Sequence, residues 1–187
     1  VNPGIRAFRD ALAALPVDEG AFPDERLGRE TCAEAIDALA EGNYGVGCLL
    51  VDPSGAIVAQ GHNEAFSPRF CSDRHAEMVV MNRFEDQHPE VRDMSKYVAH
   101  VSLEPCPMCL SRFIISGVGT VKFVAEDAGG GMTHHLDALP GNFRRLAAAQ
   151  GFGLASCSPP LQKLAHDIFM SNLPELQARL RKRRASA

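Results

Sequence analysis

The tightest constraint on how this chain can fold is a set of potential metal donors that lie far apart in sequence. Pro105-Cys106-Pro107-Met108-Cys109 holds two thiols three positions apart, and His75-Ala76-Glu77 holds an imidazole and a carboxylate two positions apart, well upstream. A Cys-x-x-Cys pair reads as metal binding or as thioredoxin-type redox chemistry. Joined by one histidine, two thiolates fill three corners of a zinc tetrahedron. A fourth corner left open to water marks a catalytic site, whereas structural zinc takes four protein ligands. For the donors to meet, the elements between His75 and Cys106 must return the chain to one place.

The local spacing is consistent with such a meeting. Pro107 fits the first turn of a helix, where its missing N–H costs nothing. Cys106 and Cys109 then share one face at a helix N-terminus, which favours the thiolate form. His75 and Glu77 would point to different sides in mid-helix, so they can converge only at a loop-to-helix junction. A fourth protein ligand, if there is one, would come from His62, His134 or His135, none of which stands at a paired spacing.

With 187 residues, 45% hydrophobic and 22% charged, the chain reads as one ordinary globular domain. No apolar run is long enough for a bilayer span, and Val1 to Asp10 lacks a signal-peptide layout, so a cytoplasmic location is expected. Cys32 and Cys48 sit among apolar neighbours and read as buried reduced thiols, and Cys71 as a loop thiol. The net charge is −4, but Arg179, Arg181, Lys182, Arg183 and Arg184 form a basic C-terminal run whose removal leaves −9 on the rest. A body that acidic repels a polyanion, and the run itself reads as a solvated helix end.

Apolar residues at Ile5, Phe8, Leu12 and Leu15 predict an amphipathic helix over Asn2–Leu15, ended by Pro16. A second helix is expected over Leu27–Ala40, and Gly42-Asn43 stops it. Val46–Val51 and Ile57–Gln60 flank the turn Asp52-Pro53-Ser54-Gly55 and predict a hairpin. A helix from His75 to about Phe84, a strand over Tyr97–Leu103, a helix over Pro107–Ser116 and a strand over Thr120–Ala125 follow. A helix ending near Gln150, a fifth strand over Phe152–Cys157 and one long helix from Pro160 or Leu161 complete the pattern. The boundaries divide the chain into an N-terminal helical extension, 1–26, and a domain, 27–187, with a C-terminal helix and basic tail. Strands alternating with helices predict a three-layer α/β/α domain with a five-stranded mixed sheet. A helical crossover between strands four and five would make them parallel.

The His-x-Glu and Pro-Cys-x-x-Cys elements, in this order, resemble the cytidine deaminase superfamily of zinc-dependent nucleobase and nucleoside deaminases. The resemblance covers about Val46 to Ala125. It implies a zinc ion on His75, Cys106 and Cys109, and Glu77 as the general acid–base that moves protons between water, ring nitrogen and leaving amine. It also implies a base contact from Asn63 at the end of the second strand, where the residue-level reading is equally a turn-forming Asn. Ala76, Phe66, Phe70 and His62 are further candidates for the substrate pocket, and Glu104 has a supporting place. Members commonly form homodimers.

Glu-Pro-Cys-Pro-Met-Cys looks most like bacterial and plant guanine deaminases, with tRNA adenosine deaminases close to it. Cytidine deaminases proper usually show Pro-Cys-Gly-x-Cys, absent here. The acidic body and the insertion between Glu77 and Cys106 weigh against the tRNA reading. The loop after strand four offers only Asp127 and Asp137 to a guanine amidine edge, short of the usual acidic pattern. The expectation is therefore a deaminase of a small purine or related amino-heterocycle, guanine-type first. A tRNA editor, a cytosine-type deaminase and a non-catalytic zinc protein stand as alternatives.

Overall fold

Strand β1 (Gly47–Val51) is buried at every position, as suits a strand paired on both edges and covered on both faces. In the computed structural model, which describes residues 3–185, it pairs antiparallel with β2 (Ile57–His62) and with β3 (Val98–Leu103). β3 pairs parallel with β4 (Thr120–Ala125), and β4 parallel with β5 (Gly151–Leu154). The five-stranded mixed sheet runs β2-β1-β3-β4-β5, as the alternating pattern predicts. The crossover into β5 carries a 3-10 helix (Thr133–Ala138) and α5 (Gly141–Ala147), so strands four and five are parallel for the reason expected.

Two glycines show how helices cover both faces. A Cβ on Gly47 would run into Thr31, Glu34 and Ala35 of α2 (Glu25–Ala40), so the helix is drawn onto the strand backbone. Gly61, which pairs with Cys48 next to Gly47, instead faces Val79 and Val80 of α3 (Ala76–Gln87). Neighbouring strand residues point to opposite faces, so α2 and α3 sit on opposite sides of the sheet. α4 (Pro107–Ser116) joins the α3 side, while α6 (Pro159–Met170) packs beside α2. α1 (Pro3–Ala14) buries Ile5 and Leu12 against α2 and α6 and shares the main core. Asn2, placed in that helix from sequence, lies outside the described residues.

Two elements differ from expectation, each for a physical reason. The fifth strand stops at Leu154 because the next residues are recruited elsewhere. Ser156 N donates to Asp24 (2.8 Å), and Ser158 N and Oγ donate to Glu25 (2.7 and 2.8 Å), tying this segment to the start of α2. The single long C-terminal helix is two: α6 ends at Met170 and α7 spans Leu173–Ala185. Pro174 explains the break, since its ring would clash with the carbonyl of Met170 in a continuous helix but is tolerated in a first turn. Asn172 fixes the corner by donating Nδ2 to the Asn43 carbonyl at 2.7 Å.

The register brings one rim of the sheet to a common line. Gly47 opposes His62, and Cys48 opposes Val101, so the start of β1, the end of β2 and the end of β3 coincide. Leu103 pairs with Ala125, which adds the end of β4. In open α/β sheets the crevice beyond the carboxyl ends of the parallel strands is where ligands bind. Val46, Asn63, Glu104 and Asp127 all stand there.

Candidate active site and metal centre

Two helix N-termini meet at this rim. His75 is the N-cap of α3, with extended backbone (φ −70°, ψ 156°), and Glu77 lies in the first turn. Cys106 is the N-cap of α4 (φ −69°, ψ 170°), with Pro107 directly after it. The loop-to-helix junction needed to join His75 and Glu77 is thus present. Both Cys106 Sγ and Cys109 Sγ lie 3.6 Å from His75 Nδ1, and the three ligand atoms fall within 4.8 Å of one another. Two soft thiolates and an imidazole are a donor set suited to zinc, and the two helix dipoles favour negative charge there.

Charge within the cluster is unevenly shared. The Cys106 thiol is held down to about 4 by its bonds with Cys109 and His75, while Cys109 is pushed well up by its bond to Cys106 and by burial. Burial pulls the His75 imidazole down, but its bond with Cys106 and nearby acids leave it above the usual range. Glu77 is 4% exposed, and burial, with the charge of Cys106, raises its carboxyl. A carboxyl raised in this way holds its proton closer to neutral pH, where both giving and taking are feasible.

A cleft of about 130 Å³ opens beside the cluster, walled by His75, Glu77 and Cys106, by Asn63, Glu104 and Asp127 at the rim, and by Tyr44, Phe169 and Leu173. Asn63 forms the turn its sequence suggests and also stands at the cleft. It lines the cleft and also accepts Ala65 N on Oδ1 at 3.0 Å, closing the turn after β2. Glu104 is buried and accepts Asp127 N (3.2 Å), Thr133 N (2.9 Å) and Thr133 Oγ1 (2.5 Å). It folds the loop after β4 around itself. Gly131 has to be glycine there, because a Cβ would fall on the Glu104 carboxylate. Asp127 enters the cleft with its Oδ1 turned to Gly129 N and Gly130 N, both at 3.0 Å, whereas Asp137 is not among the lining residues.

Other candidates go elsewhere. His62 is not in the cleft wall: Nδ1 lies 2.8 Å from Glu34 and Nε2 3.3 Å from Glu41, and the Glu34 bond raises its pKa. Its place at the end of β2 turns it toward α2, so it ties strand to helix. Ala76, the first residue of α3, is fully buried. Phe66 and Phe70 line a neighbouring cleft with Tyr44 and His75. His134 and His135 are exposed and stand outside the donor cluster. The basic run is the exposed end of α7, as expected, and within it Arg179 lies over the Phe66 ring (4.9 Å) and Arg183 over Phe70 (4.4 Å). Tyr44, Phe169 and Leu173 escaped sequence reasoning, because in a linear chain they look like ordinary core residues at helix and strand ends.

Residues 23–125 match the model of the cytidine and deoxycytidylate deaminase zinc-binding region. The chain belongs to this deaminase family. It is 35% identical to the tRNA-specific adenosine deaminase of Bacillus subtilis over 113 residues, 60% of this chain and 68% of that protein. It is 34% identical to tRNA-specific adenosine deaminase 2 of Danio rerio over 101 residues, spanning 46% of that longer protein. Among solved structures, one of a tRNA:A34 deaminase superposes with a TM-score of 0.61 at 20% identity, covering 74% of this chain and 94% of its own. The guanine deaminase of Nitrosomonas europaea superposes with a TM-score of 0.58 at 18% identity, covering 90% and 93%. These likenesses show the shared fold. The protein is therefore a zinc-type hydrolytic deaminase, and His75, Cys106 and Cys109 are placed to hold the metal.

Proposed function

We propose that this enzyme deaminates a small purine-type amino-heterocycle, with guanine-like bases or nucleosides first, and that Glu77 is its proton carrier. The observation that carries this is the buried, raised carboxyl of Glu77 beside a three-donor cluster, inside a cleft roofed by Phe169 and Leu173. Zinc in this donor set would supply a nucleophilic oxygen at neutral pH. Glu77 takes a proton from the attacking water and gives it to the ring nitrogen. A new C–O bond forms at the ring carbon. Glu77 then helps protonate the exocyclic amine, the C–N bond breaks and ammonia leaves. The Asn63 amide holds one ring edge, and Asp127 faces the exocyclic N–H groups of an amidine.

The test is ammonia release by zinc-loaded protein given guanine, adenine, cytosine, their nucleosides and a tRNA anticodon stem–loop, with Glu77→Ala protein alongside. Turnover of a purine base or nucleoside that vanishes in the variant, with zinc retained, is the expected result. Turnover confined to cytosine compounds would overturn the purine assignment. A second reading, adenosine deamination in tRNA, is favoured by the similarity to tRNA-specific adenosine deaminases. Activity on the stem–loop alone would establish it.

A further inference from the structure

The basic helix α7 does not hang free. Leu176 is 1% exposed in a small apolar cluster with Ala65 and Phe66, which seats the helix on the loop that follows β2. From that seat Arg179 and Arg183 reach over Phe66 and Phe70, whose rings pack edge-to-face at 5.5 Å, and Phe66 packs in turn on Tyr44 at 5.3 Å. A second cleft of about 380 Å³ lies beneath, with Ser72, Arg183 and Arg184 in its wall. It shares Tyr44 and His75 with the catalytic cleft, so the two lie side by side. No carboxylate is among its lining residues. The acids nearby are Asp73, next to Ser72, and Glu64, which is already paired with Arg74.

We propose that this second cleft is a phosphate subsite built on Arg183 and Arg184, and that among nucleoside-type substrates the 5′-monophosphate is preferred, with its base at the metal centre and its phosphate against α7. The inference rests on the deaminase reading of the adjoining cleft. A guanidinium stacked on an aromatic ring uses its face, while its N–H donors lie in the plane and suit bidentate contact with phosphate oxygens. Tyr44, which lines both clefts, and Phe66 packed on it offer an apolar surface for the sugar. The charge balance selects the small ester over a nucleic acid. Outside the basic run the chain carries −9, which repels a polyanion, whereas a single phosphate meets only the local arginines.

Calorimetric titration of the zinc-loaded protein tests this without relying on turnover. Guanosine, adenosine and cytidine are compared with their 5′-monophosphates, inorganic phosphate and an RNA stem–loop. At least one monophosphate should bind about tenfold more tightly than its nucleoside. Arg184→Gln, which lies outside the aromatic stack, should remove most of that advantage. Arg183→Gln with Arg184→Gln should abolish it, and Arg183→Lys with Arg184→Lys should restore part. Monophosphates that bind no better than nucleosides would overturn the proposal, as would an advantage that survives the double glutamine variant. Stem–loop binding tighter than every monophosphate, and lost in that variant, would overturn the small-ester assignment in favour of RNA. Binding as expected without any deamination would sink the proposed function and leave the subsite standing.

Discussion

Glu77 is asked to be two things that conflict: buried, and charged for part of every turnover. Burial raises its carboxyl, so the fold bears a cost for the ionised form. Glu77→Gln removes that cost together with the proton carrier. The expected result is a fall in kcat of about 10²–10⁴-fold. Zinc content should be retained, and the thermal midpoint of the variant should equal or exceed that of the parent. A midpoint several degrees lower would mean that Glu77 is chiefly structural. Cys106 should behave in the opposite way. Its thiol is held down to about 4, whereas burial pushes Cys32 and Cys48 well up and Cys157 up to about 12. Cys106→Ser should lose both zinc and activity, and Cys32→Ala should keep both, as metal analysis and ammonia release would read. Chelation should expose one fast-reacting thiol, at Cys106, to a maleimide probe. For Cys106, Cys32 and Cys48 this contrast was legible in the sequence, because ligand thiols come at a fixed spacing and core thiols sit in apolar runs, whereas Cys157 stands between two serines and was not. The role of His62 was not legible. Its partners Glu34 and Glu41 lie on α2 and at its C-terminal cap, and only the register of β2 against β1 brings them within reach.

At the scale of elements, the loop after β4 depends on one buried carboxylate and one glycine. Glu104 takes three hydrogen bonds from that loop, and Gly131 lies where any side chain would strike it. Gly131→Ala should push the loop off Glu104 and withdraw Asp127 from the cleft. We expect KM to rise more than kcat falls, because the metal donors stand on other elements, and stability to drop by about 1–3 kcal/mol. A variant with unchanged KM would show that Asp127 does not engage substrate. The three consecutive glycines marked a loop in the sequence, but nothing there pointed to Glu104 as the post they wrap. The helices bearing the metal donors were legible to within about three residues, since Pro107 at a first turn and apolar spacing fix them locally. The division into α6 and α7 was equally available from Pro174, but the apolar and basic runs on either side suggested continuity. The shortened fifth strand was not available at all. Its end is set by Asp24 and Glu25, which lie far away in the chain and meet it only through the packing of α2.

On the scale of the whole molecule, one buried group between helix α2 and the sheet makes a separable contribution to the response to acid. His100, on β3, is 2% exposed and its Nδ1 has no hydrogen-bond partner. Asp24 pulls its pKa up, but burial, with Lys122 and Arg26 nearby, prevails and takes it down to about 4. The Asp24 carboxylate is paired with Lys122 at 2.8 Å, and its pull on the imidazole does not offset the burial. The unfolded chain takes up a proton at His100 near pH 6.5, whereas the folded chain resists until about pH 4. Between those values the unfolded state binds more protons, so stability falls as the pH falls, and the loss levels off below about pH 4. From pH 7.5 to pH 5 this one residue should remove about 2 kcal/mol. The metal donors also titrate as the pH drops, so the parent's total loss is larger and has a second source. His100→Gln separates the two, because it keeps the metal site and cannot titrate. Urea unfolding at pH 7.5 and pH 5, with zinc present throughout, should show the variant losing about 2 kcal/mol less than the parent. Equal losses in the two proteins would place the acid sensitivity at the metal centre, and would mean that the folded protein accommodates a charged His100 despite its burial.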